Sequence, residues 1–146
     1  MPQKSFLPVL RELARAYQAF ESYSAVHIRT LGLTPSQFDI VATLGNTNGM
    51  SFKELGEKTL ITKGTLTGVV DRLVAKNLVR RIASSSDGRS QIVQLTHKGE
   101  TLFSRVFPAH LDYVGQAFAA FPQTDLDVME AELHRLRETF SAVSAK

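Results

Sequence analysis

Thr62, Lys63, Thr65 and Thr67 stand close together, with Gly64 and Gly68 set among them. At the head of a helix, residues of these types suit a polyanion. Hydroxyls and first-turn amides meet phosphates or base edges, a lysine meets phosphate or guanine, and glycines let the backbone come close. Arg72 adds a cation one helical turn beyond Gly68, and Arg80, Arg81 and Arg89 follow, with Asp87 just before the last. An arginine on a thin hairpin can enter a narrow minor groove, where negative potential is concentrated, so Arg89 is the leading candidate and Asp87 its brace. Of Arg80 and Arg81, one is expected to face phosphate and the other to pack or to pair with an acid.

The charge distribution agrees. From Met50 to Gly99 there are nine Lys or Arg against four acids, while the rest of the chain carries eight against ten. A basic centre on a slightly acidic scaffold marks a surface for nucleic acid. Other chemistry finds little support. The chain has no cysteine, which excludes disulfides, thiolate metal sites and thiol-based peroxide sensing. His27, His97, His110 and His134 are scattered, with no HxxxH pair or acid cluster at ligand spacing, so neither metal nor other cofactor is expected. No nucleophile elbow, phosphate loop or paired-carboxylate motif points to an enzyme. No apolar run is long enough to span a membrane and the N-terminus lacks a signal-peptide core, so a cytoplasmic protein is expected.

The elements that must position these residues are legible from periodicity and caps. Phe6, Leu10, Leu13, Tyr17, Phe20, Ser24, His27 and Leu31 form a four-three stripe, which predicts one helix over 4–30 with Pro8 near its start. Thr34-Pro35-Ser36-Gln37 reads as a capping box opening a short helix, with Leu33 and Phe38 as its staple; Ser51 and Glu54 repeat the pattern. After a turn at Leu60-Ile61, Thr62 is expected to cap a helix to about Lys76, burying Leu66, Val69, Val70 and Leu73 and closing on a left-handed Asn77. Residues 79–82 and 91–95 read as the strands of a hairpin. Two short helices, a turn and a hairpin define a winged helix-turn-helix over 34–99. Thr96 starts the next helix, expected to kink or break at Pro108 and to stop before Pro122. A last helix from Thr124 carries Leu126, Met129, Leu133, Leu136, Phe140 and Val143.

The whole chain, 1–146, therefore reads as one mainly α protein with a small β-hairpin wing. Long helices over 4–31 and within 97–146 flank the DNA-binding part. Their apolar stripes are expected to form a homodimer through Phe6, Leu10, Leu13, Leu126, Met129, Leu133, Leu136 and Phe140, so that two recognition helices reach a palindromic site. Tyr17, Phe20, Tyr23, His27, Phe38 and Tyr113 could line a pocket for a small aromatic ligand; aromatics at helical spacing serve equally as plain core.

The stretch ELGEKTLITKGTLTGVVDRLVAKNLVRRIASSSDGRSQIVQLTHKG resembles the signature segment of the MarR (multiple antibiotic resistance regulator) family. The matching features are Val70-Asp71-Arg72-Leu73, the Asp87-Gly88-Arg89 wing tip, and Leu95-Thr96 followed by Gly99. The resemblance implies a homodimeric regulator, most simply a repressor, that binds palindromic promoter DNA and often releases it to an aromatic or phenolic ligand. Two departures stand out: Gly88 replaces a common second wing arginine, and Asn77 replaces a common glycine while tolerating the same left-handed backbone. A winged helix used only for protein docking, with no operator of its own, is the alternative reading.

Overall fold

A computed structural model describes residues 5–84 and 90–144. Its elements, in chain order, are α1 (Leu7–Thr30), α2 (Pro35–Leu44), β1 (Met50–Ser51), α3 (Phe52–Lys58), α4 (Lys63–Ala75), β2 (Val79–Ala83), β3 (Gln91–Leu95), α5 (His97–Ala117) and α6 (Gln123–Ser144). The chain divides into two compact units, Met1–Asp112 and Tyr113–Lys146.

In the first unit, α1 begins three residues later than its stripe predicts. Pro8 must lie in the first turn, where its missing N–H leaves no bond unmade. The box that opens α2 forms in full: Thr34 Oγ1 accepts from the Gln37 amide, and Gln37 Oε1 accepts from the Thr34 amide, both at 3.2 Å. Ser51 Oγ accepts from the Glu54 amide at 3.1 Å and opens α3. Residues 50 and 51 also form a short strand that periodicity does not reveal, since two residues make no pattern. The sheet runs β1–β3–β2, with Met50 opposite Val93 and Val79 opposite Leu95.

The end of α4 is a Schellman ending. Asn77 has φ of 62°, its amide bonds to the Val74 carbonyl at 2.9 Å, and the Leu78 amide bonds to the Leu73 carbonyl at 3.0 Å. Leu66, Val69, Val70 and Leu73 are buried, as are Val79 and Val93 of the sheet and Ile40, Val41 and Leu44 of α2. This is one core beneath α4 and the hairpin. Thr96 Oγ1 accepts from the Gly99 amide at 3.1 Å and starts α5. The helix then continues through Pro108, so of the kink or break expected there the break does not occur. Buried Val106 and His110 on either side hold both halves in place, which outweighs the hydrogen bond that proline removes.

In the second unit α5 ends at Ala117, before Pro122 as expected, and Phe118 lies in the connecting turn. α6 starts at Gln123, one residue before the position predicted, because the amides of Asp125 and Leu126 bond to the Pro122 carbonyl. Along α6, Leu126, Met129 and Leu136 are half-buried, while Leu133, Phe140 and Val143 are exposed.

Candidate nucleic-acid interface

α4 presents Gly64, Thr65, Thr67, Gly68 and Arg72 to solvent while its other face joins the core. Thr62 occupies the cap position predicted for it, but its side chain does not cap an amide. Its hydroxyl lies 3.1 Å from the Thr65 hydroxyl, and the Thr62 carbonyl receives the Thr65 and Leu66 amides at 3.0 Å. A Cβ added at Gly64 or Gly68 would meet nothing within 4 Å. Packing within the chain therefore gives no reason for glycine at either position, whereas close approach of another molecule's backbone does. Lys63 is the first residue of α4.

The arginines at the hairpin base are used differently. Arg80 is exposed and its Nε donates to Gln94 Oε1 at 2.6 Å; Gln94 Nε2 in turn donates to the Asn48 carbonyl at 3.0 Å. Arg81 forms an ion pair with Asp71 of α4, and its guanidinium lies 5.5 Å from the centre of the Phe52 ring. Its Nε is buried and makes no hydrogen bond among the described residues. Arg81 is thus the member of the pair that binds acid, tying the hairpin to α4, and Arg80 is the one left facing outward. Asp87 and Arg89 lie outside the described residues.

A second cluster joins α1, α2 and α5. His27 Nδ1 and His110 Nδ1 are 3.0 Å apart, the rings stack at 5.2 Å between centroids, and Ser24 Oγ lies 2.9 Å from His110 Nε2. Phe38 meets His110 edge-on at 4.6 Å. His110 is depressed below the usual imidazole range, by burial first and by His27 second. A hydrogen bond between the two Nδ1 atoms needs one proton, not two, so the contact does not admit both rings as cations.

Of the predicted pocket residues, the structure brings together His27 and Phe38. Tyr17 and Phe20 are exposed on α1, Tyr23 is half-buried, and Tyr113 belongs to the second unit. Ser24 and His110 escaped the sequence reading, which treated the histidines as scattered. The available signal was the pair of polar residues, Ser24 and His27, inside an otherwise apolar stripe. Among the described residues, no group of three or more His, Cys, Asp or Glu could hold a metal ion, and no helix is long and apolar enough to cross a membrane.

A helix-turn-helix backed by a three-stranded sheet, with a glycine- and threonine-faced second helix, defines a winged-helix DNA-binding protein. Comparison with known proteins specifies the class further. The MarR family profile matches residues 31–90. The HTH-type transcriptional regulator MhqR of Bacillus subtilis (strain 168) is 30% identical over 136 residues, 93% of each chain. The homoprotocatechuate degradative operon repressor of Escherichia coli is 31% identical over 93 residues, 64% of this chain and 63% of that one. A solved structure of Bordetella bronchiseptica BpsR, described for regulation of its DNA binding by 6-hydroxynicotinic acid, superposes with a TM-score of 0.78 at 25% identity. It covers 88% of this chain and 92% of that one. The chain belongs to the MarR family of transcriptional regulators, which are DNA-binding proteins and not enzymes.

Proposed function

We propose that the protein is a homodimeric cytoplasmic repressor that binds a palindromic promoter site and releases it when a small hydroxylated aromatic ligand binds. One observation carries the reading: the exposed face of α4 is built of Gly64, Thr65, Thr67 and Gly68, with no intrachain packing to explain its small residues. In this reading α4 enters the major groove, with Thr62, Lys63, Thr65, Thr67 and Arg72 meeting bases and phosphates. Arg80 meets the flanking backbone, Arg89 reaches the minor groove braced by Asp87, and Arg81 holds the hairpin in register.

Dimerisation is supported by the exposed apolar residues of the terminal helices. Phe6 is 54% exposed, Leu133 57% and Phe140 53%, and stripes of this kind are stable in water when a second copy covers them. The repressor role is supported by the name of the E. coli relative, and the ligand class by that of BpsR. A phenol or carboxylate is also what imidazole, a serine hydroxyl and an aromatic edge can hold, and these groups meet at His27, His110, Ser24 and Phe38.

Fluorescence anisotropy with DNA from the gene's own upstream region and a scrambled duplex, over a range of salt, tests the reading. A preference for the native fragment and an affinity that falls steeply with salt are expected, because several phosphates are neutralised per dimer. Binding to neither duplex would favour a docking module. Arg89→Ala should weaken specific binding by about 1–3 kcal/mol, and unchanged affinity would remove Arg89 from the interface.

A further inference from the structure

Asp39 of α2 makes a bond that neither folding of its own helix nor ion pairing explains. Its Oδ2 accepts the backbone N–H of Leu60 at 3.0 Å, across 21 residues of chain. Leu60 is in the turn that joins α3 to α4. Just before it, buried Thr59 returns both its amide and its hydroxyl to the Leu55 carbonyl, at 3.0 and 2.7 Å, and so closes α3. Just after it, the Thr62 carbonyl accepts the first amides of α4. Leu60 thus supplies the first amide of the turn that returns to neither helix, and α2 holds it from outside.

Asp39 is half-buried, and burial pushes its carboxyl above the usual range while the Leu60 bond pulls it back. Among the residues whose side chains are described it forms no ion pair with Lys or Arg, and its charge helps to push the Tyr17 phenol upward. A half-buried carboxylate with no cationic partner among the described side chains is a poor source of stability. What it does supply is a fixed point for the turn that sets the angle of α4.

We propose that Asp39 is a positioning residue for sequence-specific DNA recognition: by holding the Leu60 amide, its carboxylate fixes the posture in which α4 meets the bases. The inference rests on the reading of α4 as the recognition helix. Base-edge hydrogen bonds tolerate little displacement, whereas attraction to phosphates is spread over many contacts. Loosening the turn therefore reduces discrimination between sequences more than it reduces affinity for DNA in general.

The test uses the full chain, a duplex that it enriches from a random pool, and a scrambled duplex of the same composition, with both affinities measured at one salt concentration. Asp39→Ala should lose about tenfold on the enriched duplex, the size expected for a charge-assisted bond, and less than about threefold on the scrambled one. Asp39→Asn removes the same charge but keeps an oxygen that can accept from Leu60, and should retain most of the discrimination. Discrimination intact in Asp39→Ala, even with a lowered melting temperature, overturns the proposal. So does an equal loss in Asp39→Asn, which would make charge, not the bond, responsible. A Thr65→Ala, Thr67→Ala double variant serves as the control for the recognition face. If no duplex is enriched, or if this control discriminates as well as the wild type, the reading of α4 has failed and the proposal falls with it.

Discussion

His110 and Arg81 are polar groups set against the core, and the first has a consequence that can be measured. His110 is buried, hydrogen-bonded to Ser24 and stacked on His27, and its imidazole is depressed below the ordinary value of roughly 6.5. A depressed histidine binds its proton more weakly in the folded state than in the unfolded chain, so the unfolded chain takes up more protons across the window between the two values. The contribution to stability is complete above the ordinary imidazole value and is lost as pH falls towards the folded one. Urea unfolding between pH 8 and pH 5 should show this loss, and His110→Gln should show less of it. An identical pH profile in the two proteins would contradict the assignment. Asp39 acts with the opposite sign over the carboxylate range, since burial raises it. The two groups are thus separable by where in pH they act. Arg81 illustrates what residue type alone leaves open. Its charge was legible in the sequence, but its engagement by Asp71 and Phe52 depends on a meeting of α4, β2 and α3 that no local pattern encodes.

Among the elements, those with a local cause were legible and those with a distant cause were not. The box at Thr34, the Ser51 half of its own box, the start at Thr96 and the left-handed Asn77 are all written within a few residues and form, whereas Thr62, read in the same way, caps no amide. β1 exists because β3 offers it a partner, and α5 survives Pro108 because the core grips both sides of it. Gly99 shows how closely these elements are fitted. A Cβ there would lie 2.0 Å from the Leu78 carbonyl oxygen, at the point where α5 passes the junction of α4 and β2. Backbone cannot rotate away as a side-chain end can, so Gly99→Ala must push α5 off that junction. Destabilisation of about 2 kcal/mol or more is expected, despite the better helix propensity of alanine. Thermal or denaturant melts would measure it, and a neutral substitution would contradict the close approach. Gly64→Ala is the informative contrast. It sits in open space, so it should leave stability nearly unchanged or slightly raised, and its effect, if any, should fall on DNA binding.

At the scale of the whole molecule, each of the two terminal helices carries exposed apolar side chains. Phe6, Leu10, Tyr17 and Phe20 on the N-terminal side and Leu133, Phe140 and Val143 on α6 are all exposed. Their spacing was readable as heptad-like stripes, but a stripe does not say whether its partner lies in the same chain. The exposure of both stripes in this fold is what favours a second copy. Replacing Leu133 and Leu136 with glutamate places two charges in the proposed seam, where each would lose water without gaining a partner. On the proposed assembly, sedimentation should give a dimer for the wild type and monomers for this variant at the same concentration. The same variant separates assembly from recognition, because neither residue lies in the winged-helix segment. A monomer reads one half-site, so its affinity for a palindromic duplex should fall by orders of magnitude and its salt dependence should roughly halve, as half the phosphates are neutralised. A dimer that persists would move the interface elsewhere. A monomer that binds the palindrome as tightly as the wild type would show that the two recognition helices do not act together.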